Sequence, residues 1–364
     1  MLKYFIVVIV GLLPLVFSKK RSIFFVVLFF LCLLATFNFD NPDRANYFDS
    51  FNRAADGWAF YGLAEVGQQF IYQIFNRLGF GFNVFLGIYY FIAFALIARF
   101  ILRYTDNPGY VLVLYFIYPY FMDVVQLRTL MTTAIVINAI PYLSIKSKAA
   151  ALKYLLLICL AGTIHYSVLF FLLLLFFRKI SVRKLIIASV FIVIISVFFN
   201  DIILQWLMDS FPFLERKLLR YTRIFQTSIY TKVGLLIYFS AGLFLVYMAL
   251  LKFKNRGLKK YVDKDGKMSL DFVEVILKAN ILIFFLFPFL MFALEFIRLY
   301  RPILILNYVL FSNVIFVFRK SLTKDIFDQI LIFLFVVLTF GYFVLLQFSD
   351  TVLFSFFEYN YLLP

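Results

Sequence analysis

Residues 154–177, with the sequence YLLLICLAGTIHYSVLFFLLLLFF, decide how this chain folds. The stretch is long enough to cross a bilayer once, since about 20 helical residues span the hydrocarbon core. A single crossing would leave Lys153 and the basic cluster at 178–184 on opposite sides and would invert every later loop. Two short or re-entrant segments that meet near His165 keep both basic groups on one side. We predict the second arrangement, because basic residues collect on the cytoplasmic side.

The composition excludes a soluble protein. Hydrophobic residues make up 65% of the chain, 53 residues are Phe, and only 15% are charged. Ordinary globular domains are nearer half apolar and a quarter charged. The net charge of +16 would indicate nucleic acid in a soluble protein, but in a membrane protein it first reflects the basic cytoplasmic loops. No nucleic-acid partner is expected.

Apolar runs recur along the whole chain. They lie at residues 4–18, 22–37, 80–98, 109–122, 129–145, 149–163, 165–177, 185–199, 233–251, 274–293, 302–318 and 326–346. We predict an all-α polytopic membrane protein with 11–12 transmembrane helices, forming one integral membrane domain over residues 1–364. Two long outer segments, 38–79 and 200–232, are predicted to carry interfacial helices.

Lysine and arginine are distributed differently between the two predicted faces. With the N-terminus predicted outside, the loops assigned to the cytoplasm are 19–21, 99–108, 146–153, 178–184, 252–267 and 319–325. These loops contain 15 Lys and 7 Arg, whereas the outer segments contain 3 Lys and 9 Arg. The tendency of basic residues to stay inside does not distinguish Lys from Arg. The planar guanidinium group binds phosphate or carboxylate with two parallel hydrogen bonds. The outer Arg surplus therefore predicts an anionic ligand on the outer face.

Ionisable residues near membrane depth are the candidates for function, because each is costly to place there. The outer candidates are Asp43, Arg44, Glu65, Asp123, Arg128, His165, Arg216, Arg220, Arg223, Glu295, Arg298 and Arg301. His165, the only histidine, serves either as a base or as a polar contact between helices. Asp123 and Arg128 form a structural pair or contact a ligand.

The spacing of the Arg residues leaves further alternatives open. Glu295 and Arg298 can pair at positions i and i+3, as a site or as an interfacial anchor. Arg216, Arg220 and Arg223 share a helix face and bind either a ligand or anionic lipid head groups. With one His and no Cys cluster, no metal site is expected.

Four short motifs follow one another along the chain. Asp43 precedes Tyr47 by four residues, Glu65-Val-Gly67 follows, Leu127-Arg128 opens an apolar run, and His165-Tyr-Ser167 lies at the next outer tip. In this order the motifs resemble the EpsG family of Wzy-type bacterial polysaccharide polymerases, over most of the chain. The sequence departs from the common family pattern at Asn41 and at Thr129.

The resemblance implies a GT-C-like glycosyltransferase in the bacterial inner (cytoplasmic) membrane, with its active site facing the periplasm. Such a polymerase transfers a growing glycan from undecaprenyl diphosphate to an incoming lipid-linked repeat unit, and the lipid tails enter laterally between helices. The implied partners are undecaprenyl-diphosphate-linked oligosaccharide, membrane lipids and a chain-length regulator. No cofactor is expected, because Arg side chains can stabilise the leaving diphosphate without a metal.

The resemblance also suggests roles for single residues. Arg128 and either Arg298 or Arg301 are assigned to the diphosphate, and His165 to the acceptor or a phosphate oxygen. Glu295 and Asp43 compete as the base. The remaining members of the predicted substrate-binding set are Arg220, Arg223 and Tyr47.

Three other classes of membrane protein remain as alternatives. A flippase for lipid-linked oligosaccharides needs similar hydrophobicity, but it predicts cationic residues along the middles of several spans. A ligase would use the same donor with a different acceptor, and the sequence separates it poorly from a polymerase. A membrane O-acyltransferase also uses a His at membrane depth but gives no reason for so many outer Arg residues.

Overall fold

A computed structural model shows a bundle of helices. The structure describes residues 2–55, 65–199, 228–255, 268–291, 293–316 and 322–363, together with residues 202, 205, 206, 209 and 210. Within these residues the secondary structure is helical apart from one isolated β-bridge between Asn38 and Asn360. In the described residues, each of the twelve apolar runs coincides with a helix or with consecutive helical segments, because long apolar stretches in a membrane must satisfy their backbone groups internally.

The helices of the first part are α1 (Leu2–Val16), α2 (Arg21–Thr36), α3 (Arg44–Ala55), α4 (Val66–Arg77), α5 (Phe82–Tyr104), α6 (Pro108–Ile117), α7 (Tyr120–Val125), α8 (Leu127–Ala139) and α9 (Lys148–Ile164). Within its described residues, the segment 38–79 contains two helices, α3 and α4, which pack against each other.

The second part contains longer helices with irregular ends. Its α-helices are α10 (Leu173–Phe177), α11 (Val182–Phe198), α12 (Ile229–Asn255), α13 (Leu270–Leu282), α14 (Phe287–Leu290), α15 (Arg301–Phe316), α16 (Leu322–Phe340) and α17 (Ser355–Glu358). Short 3₁₀ or π-helical segments adjoin them at Ile140–Ser144, Tyr166–Leu172, Ile283–Leu286, Leu294–Tyr300, Gly341–Leu346 and Ser349–Phe354.

The stretch 154–177 folds as a hairpin, as the charge distribution predicts. Helix α9 ends at Ile164, His165 is extended, and a 3₁₀ helix begins at Tyr166. The hydroxyl of Tyr154 donates to the carbonyl oxygen of Phe171 at 2.6 Å. In one straight helix these two residues would lie about 25 Å apart. The single crossing is therefore excluded.

The two ends of this hairpin lie on the same side of the bundle. Arg178, just after α10, donates to the carbonyl oxygen of Ile145, just before α9, at 2.6 Å. Lys278 of α13 donates to the carbonyl oxygen of Arg178 at 3.3 Å. The start of α9 and the end of α10, with the basic residues around them, therefore lie on the same side of the bundle.

The number of membrane crossings is supported only in part. In the described part of the chain, four helical stretches are long and apolar enough to cross a membrane: Phe82–Tyr104, Tyr230–Lys254, Leu270–Leu290 and Ile326–Leu346. Four shorter apolar helices are Leu2–Val16, Arg21–Thr36, Pro108–Ile117 and Tyr166–Phe177. The chain is therefore an all-helical membrane-embedded protein, and the count of 11–12 spans stays a prediction.

Helix α8 lies inside the bundle. It packs against α5, α9 and α15, and its side chains are largely buried. Because α8 begins with Leu127-Arg128, this packing places Arg128 at one end of a largely buried helix. The neighbouring termini, the end of α9 and the start of α15, bring His165 and Arg301 to the same end.

Candidate functional site

Glu65 occupies an unusual backbone position. It immediately precedes α4 and has φ 69° and ψ 38°, in the left-handed region. Residues other than glycine rarely adopt this conformation, and when they do so the strain is often found at functional sites. From this position the Glu65 carboxylate reaches the start of α8, at Arg128, and the end of α9, at His165.

Gly67 allows α4 to approach α9 closely. A Cβ atom at Gly67 would lie 2.1 Å from Oγ1 of Thr163 and 3.1 Å from its backbone carbonyl carbon. Any side chain would therefore push the two helices apart. The Glu-x-Gly motif thus has a structural reason: the glycine brings the start of α4 against the end of α9, where His165 follows.

The Glu65 carboxylate bridges two functional groups. Its Oε1 lies 2.7 Å from Nδ1 of His165. Its Oε2 accepts a short hydrogen bond from Nη1 of Arg128, in a charge-assisted pair. The side chains of Glu65 and His165 are only 12% and 9% exposed, whereas that of Arg128 is 33% exposed. The guanidinium group of Arg128 therefore forms the accessible edge of the cluster.

This geometry determines the tautomer of a neutral His165. An ionised carboxylate only accepts hydrogen bonds, so Nδ1 must carry the proton that it shares with Glu65. The other ring nitrogen, Nε2, then holds a lone pair and can accept a proton. A carboxylate that orients an imidazole in this way is the arrangement of a general base and its positioning residue.

Tyr47 and Asp43 approach the cluster from the outer segment. The Cζ atom of Arg128 lies 5.4 Å from the ring centroid of Tyr47, in a cation–π contact. Asp43 lies one helical turn before Tyr47. Burial raises the pKa of Asp43 above its usual range, while the positive charges of Arg298, Arg128 and Arg301 oppose that rise. Burial also raises the pKa of Tyr47.

The segment before α15 contributes Glu295 and Arg298. Nε of Arg298 donates to the backbone carbonyl oxygen of Glu295 at 2.8 Å. The two residues thus share one side of their 3₁₀ helix, as their spacing predicts, but this bond uses the Glu295 backbone. Burial raises the pKa of the Glu295 carboxyl, and the structure gives its buried Oε2 no hydrogen-bond donor within the described residues.

Asp123 pairs with Arg301 and not with Arg128. Nη1 of Arg301 lies 3.1 Å from Oδ1 of Asp123, and the side chains are 1% and 0% exposed. Tyr115 donates to the other carboxylate oxygen at 3.0 Å. The Asp123–Arg128 pair, one of the two predicted alternatives, does not form. Glu65 pairs with Arg128 instead, and the start of α15 brings Arg301 to Asp123. Arg301 lies deeper than Arg128 in the bundle.

The predicted site residues therefore fall into three groups. Those that gather at one end of the bundle are Asp43, Tyr47, Arg128, His165, Arg298 and Arg301. Glu295 lies next to Arg298, with its carboxyl partly buried. Arg220 and Arg223, together with Arg216, lie outside the described residues. The sequence marks Glu65 as a candidate without a role, whereas the structure places it between Arg128 and His165. Its Glu-x-Gly motif was the available signal.

An apolar groove of about 540 Å³ leads away from this site along the bundle. Its α8 wall consists of Met131, Ile135 and Asn138, which follow Arg128 on the same helix face. Its α9 wall ends at Ile164, the residue before His165. The rest of the lining includes Ile71, Ile74 and Phe75 of α4, and Ile88, Tyr89, Ile92, Leu96, Arg99 and Arg103 of α5.

The described residues contain no group of three or more His, Cys, Asp or Glu side chains suited to a metal ion. Fold and site together define a multi-spanning membrane protein with a cluster of carboxylates, guanidinium groups and one imidazole at one end of its helices. The sequence profile of the EpsG family matches residues 21–361, and the chain belongs to this family. Membership indicates a function of the polysaccharide-polymerase type. Neither the curated proteins nor the solved structures searched contain a match.

Proposed function

We propose that this protein is a polysaccharide polymerase of the bacterial inner membrane with its active site facing the periplasm. It transfers a growing glycan from undecaprenyl diphosphate to a hydroxyl group of an incoming lipid-linked repeat unit. The observation that carries the proposal is the carboxylate of Glu65, which holds both Arg128 and His165. This cluster places a phosphate-binding group beside a potential base, and glycosyl transfer from a diphosphate needs both.

The reaction can be followed atom by atom. The acceptor hydroxyl oxygen attacks the anomeric carbon of the donor sugar, and the bond between that carbon and the diphosphate oxygen breaks. Nε2 of His165 takes the hydroxyl proton. General-base catalysis of this kind accelerates a reaction by about 10²–10⁴-fold. The diphosphate leaves with the bonding electron pair. Arg128 and Arg298 stabilise its charge by charge-assisted hydrogen bonds, without a metal in this proposal.

Asp43 and Glu295 have different parts in this proposal. Both are partly buried, and burial raises the pKa of each above its usual range. A carboxyl with a raised pKa is a candidate general acid or base. His165 is preferred as the base because Glu65 fixes its orientation, whereas Asp43 is balanced by Arg charges and is suited to orienting the acceptor. The positive charge of Arg301, which is paired with Asp123, favours the ionised form of Asp43.

The apolar groove supports a lipid-linked substrate. Its lining includes Ile164, the residue before His165, and Met131, one helical turn after Arg128, and it follows α5 from Ile88 to Arg103, about 22 Å of helix rise. Ile92 and Leu160, on its lining, are 45% and 53% exposed, so the groove is open toward the surrounding lipid. A polyisoprenoid tail can lie in it while the diphosphate occupies the polar end.

The proposal is tested with purified protein in lipid nanodiscs and lipid-linked repeat units extracted from a strain that lacks the gene. We expect a ladder of longer glycans from the wild type. Arg128→Ala and His165→Ala should abolish the ladder, whereas Arg53→Ala should retain it, because Arg53 lies exposed on α3 outside the cluster. Unfolding temperatures of all four proteins establish that the inactive variants are folded.

The alternatives give different results. Normal glycan growth in folded Arg128→Ala and His165→Ala proteins would reject the site. In the deletion strain, single-repeat products support a polymerase. Accumulated carrier-linked intermediates would indicate a flippase instead, and polymer that remains on its carrier would indicate a ligase.

A further inference from the structure

The opposite end of the bundle contains a second, larger cavity. It has a volume of about 1080 Å³ and lies between the start of α9, the end of α10 and α13. Five cationic and two acidic side chains line it: Lys146, Lys148, Arg178, Lys179, Lys278, Asp271 and Glu274. The lining therefore has a net formal charge of about +3 at neutral pH.

The acidic residues leave part of this positive charge uncompensated. Lys146 pairs with Asp271 at 3.2 Å, and Lys278 pairs with Glu274 at 3.0 Å. Arg178 uses Nη2 to donate to a backbone carbonyl oxygen. Within the described residues, no carboxylate forms an ion pair with Lys148 or Lys179. Three cations thus face the cavity without a neutralising carboxylate.

This arrangement is more than a scattered excess of cytoplasmic lysines. Lys278 lies on α13 two turns after its start, and its side chain is only 8% exposed, so the cavity reaches into the bundle. The wall between the cations is apolar and includes Leu175, Phe176 and Val275. Phe176 is 67% exposed, which indicates that this wall continues onto the lipid-facing surface.

We propose that this cavity binds the phosphate group of an anionic phospholipid, with an acyl chain along the apolar wall. Basic pockets between membrane helices on the cytoplasmic side bind anionic lipid head groups in this way. A free phosphate anion would satisfy the cations but would leave the apolar wall unoccupied. The charge and the wall together favour the lipid.

The bound lipid would contact the start of α9, the end of α10 and α13, and so would connect both ends of the hairpin to α13. Lys148 begins α9 and Lys179 follows α10, while the tip of the same hairpin carries His165. A phosphate held by Lys148, Lys179 and Arg178 offsets the mutual repulsion of these cations and holds the start of α9 and the end of α10 together. The proposal concerns binding and stability and does not depend on the reaction at the other end.

The test measures the unfolding temperature of purified protein in detergent with added phosphatidylglycerol, phosphatidylcholine or sn-glycerol 3-phosphate. We expect phosphatidylglycerol to raise the unfolding temperature at a concentration at least tenfold lower than either other compound. The double variant Lys148→Gln, Lys179→Gln should need at least tenfold more phosphatidylglycerol for the same shift. Both side chains are exposed, so the fold should tolerate the change.

The matched control is Lys153→Gln, Lys184→Gln. It removes the same charge from exposed positions near the same hairpin that do not line the cavity. We expect it to respond to phosphatidylglycerol like the wild type. An equal shift by phosphatidylcholine would reject an anionic head group, and an equal shift by sn-glycerol 3-phosphate would reject a lipid. Equal losses in the two double variants would reject this cavity as the site.

Discussion

Nδ1 of His165 lies 2.7 Å from Oε1 of Glu65, although the two residues are 100 positions apart in the chain. The same carboxylate binds Arg128, which belongs to a third helix. Three elements, the start of α4, the start of α8 and the end of α9, therefore meet at one side chain. A single carboxylate fixes both the imidazole that takes a proton and the guanidinium group that meets a phosphate.

Replacement of this carboxylate should therefore disable both groups. In Glu65→Gln, the neutral amide no longer requires a proton on Nδ1 of His165 and loses the charge-assisted pair with Arg128. We expect glycan elongation to fall by about 10²-fold or more, in line with the loss of general-base catalysis. The measurement is the initial rate of glycan elongation in nanodiscs, with Glu358→Gln as the control.

Glu358 makes a suitable control because it also forms an ion pair, with Lys3 at 2.7 Å, but lies away from the cluster. We expect its replacement by Gln to change the elongation rate by less than about twofold, because Glu358 pairs with Lys3 and with none of the cluster residues. Similar rates for wild type and Glu65→Gln would show that the cluster has no part in the reaction.

Gly67→Ala tests whether the approach of α4 to α9 controls activity. The new Cβ would meet both the side chain and the backbone of Thr163, so the helix itself must move and Glu65 with it. A displacement near 1 Å can reduce catalysis by about 10²-fold. We expect the elongation rate to fall at least tenfold. The amount of folded protein, measured by gel filtration, should fall much less than the rate.

Gly81→Ala is the matched control for this change. No atom lies within 4 Å of a Cβ built at Gly81, and its backbone conformation suits alanine. We expect nearly normal elongation from this variant. If Gly67→Ala is equally active, the close approach of the two helices is not needed to position Glu65.

The sequence predicts the helices of this protein better than the partners of its charged residues. Apolar runs locate the helices because the membrane permits little other structure, and the basic residues around 154–177 predict the hairpin. The pairs Glu65–Arg128 and Asp123–Arg301 could not be predicted in the same way. They depend on which helix ends meet in space, and neither spacing nor composition contains that information.

Asp43→Asn should stabilise the protein at neutral pH. Because burial raises the pKa of Asp43 in the folded state, folding favours the protonated carboxyl. The associated stability is fully present below the ordinary Asp pKa of about 4 and is lost as pH rises through the folded pKa. The Asn side chain does not ionise, so the variant avoids that loss of stability. We expect a higher unfolding temperature than the wild type at pH 7, and a difference that shrinks toward pH 4.

The control for this pH dependence is Asp49→Asn, on the exposed side of α3. We expect it to show no comparable pH-dependent gain. A lower unfolding temperature for Asp43→Asn at pH 7 would indicate that attraction to the neighbouring Arg residues outweighs burial.

Arg301→Met separates a structural role of Arg301 from diphosphate binding. The variant leaves Asp123 buried without its ion-pair partner, which costs about 3–5 kcal/mol in other proteins. The double variant Arg301→Met, Asp123→Leu removes both charges and should recover most of that stability. Unfolding temperatures measure the stability, and elongation by the folded double variant measures the ligand role. If Arg301 binds diphosphate, the double variant is stable but has a raised KM for the donor.

Cysteine labelling from the two sides of the membrane tests the hairpin at His165. The start of α9 and the end of α10 lie on the same side of the bundle. Lys148→Cys and Lys179→Cys should therefore both react with a membrane-impermeant maleimide only from the cytoplasmic side. Asn83→Cys, next to the outer segment, should react only from outside. The native Cys32 and Cys159 are first replaced, since Cys159 is exposed. Labelling of Lys148→Cys and Lys179→Cys from opposite sides would show that residues 154–177 cross the membrane once and would contradict the hairpin. Labelling of both from outside would instead invert the bundle and put the Glu65 cluster in the cytoplasm, where a periplasmic polymerase could not use it.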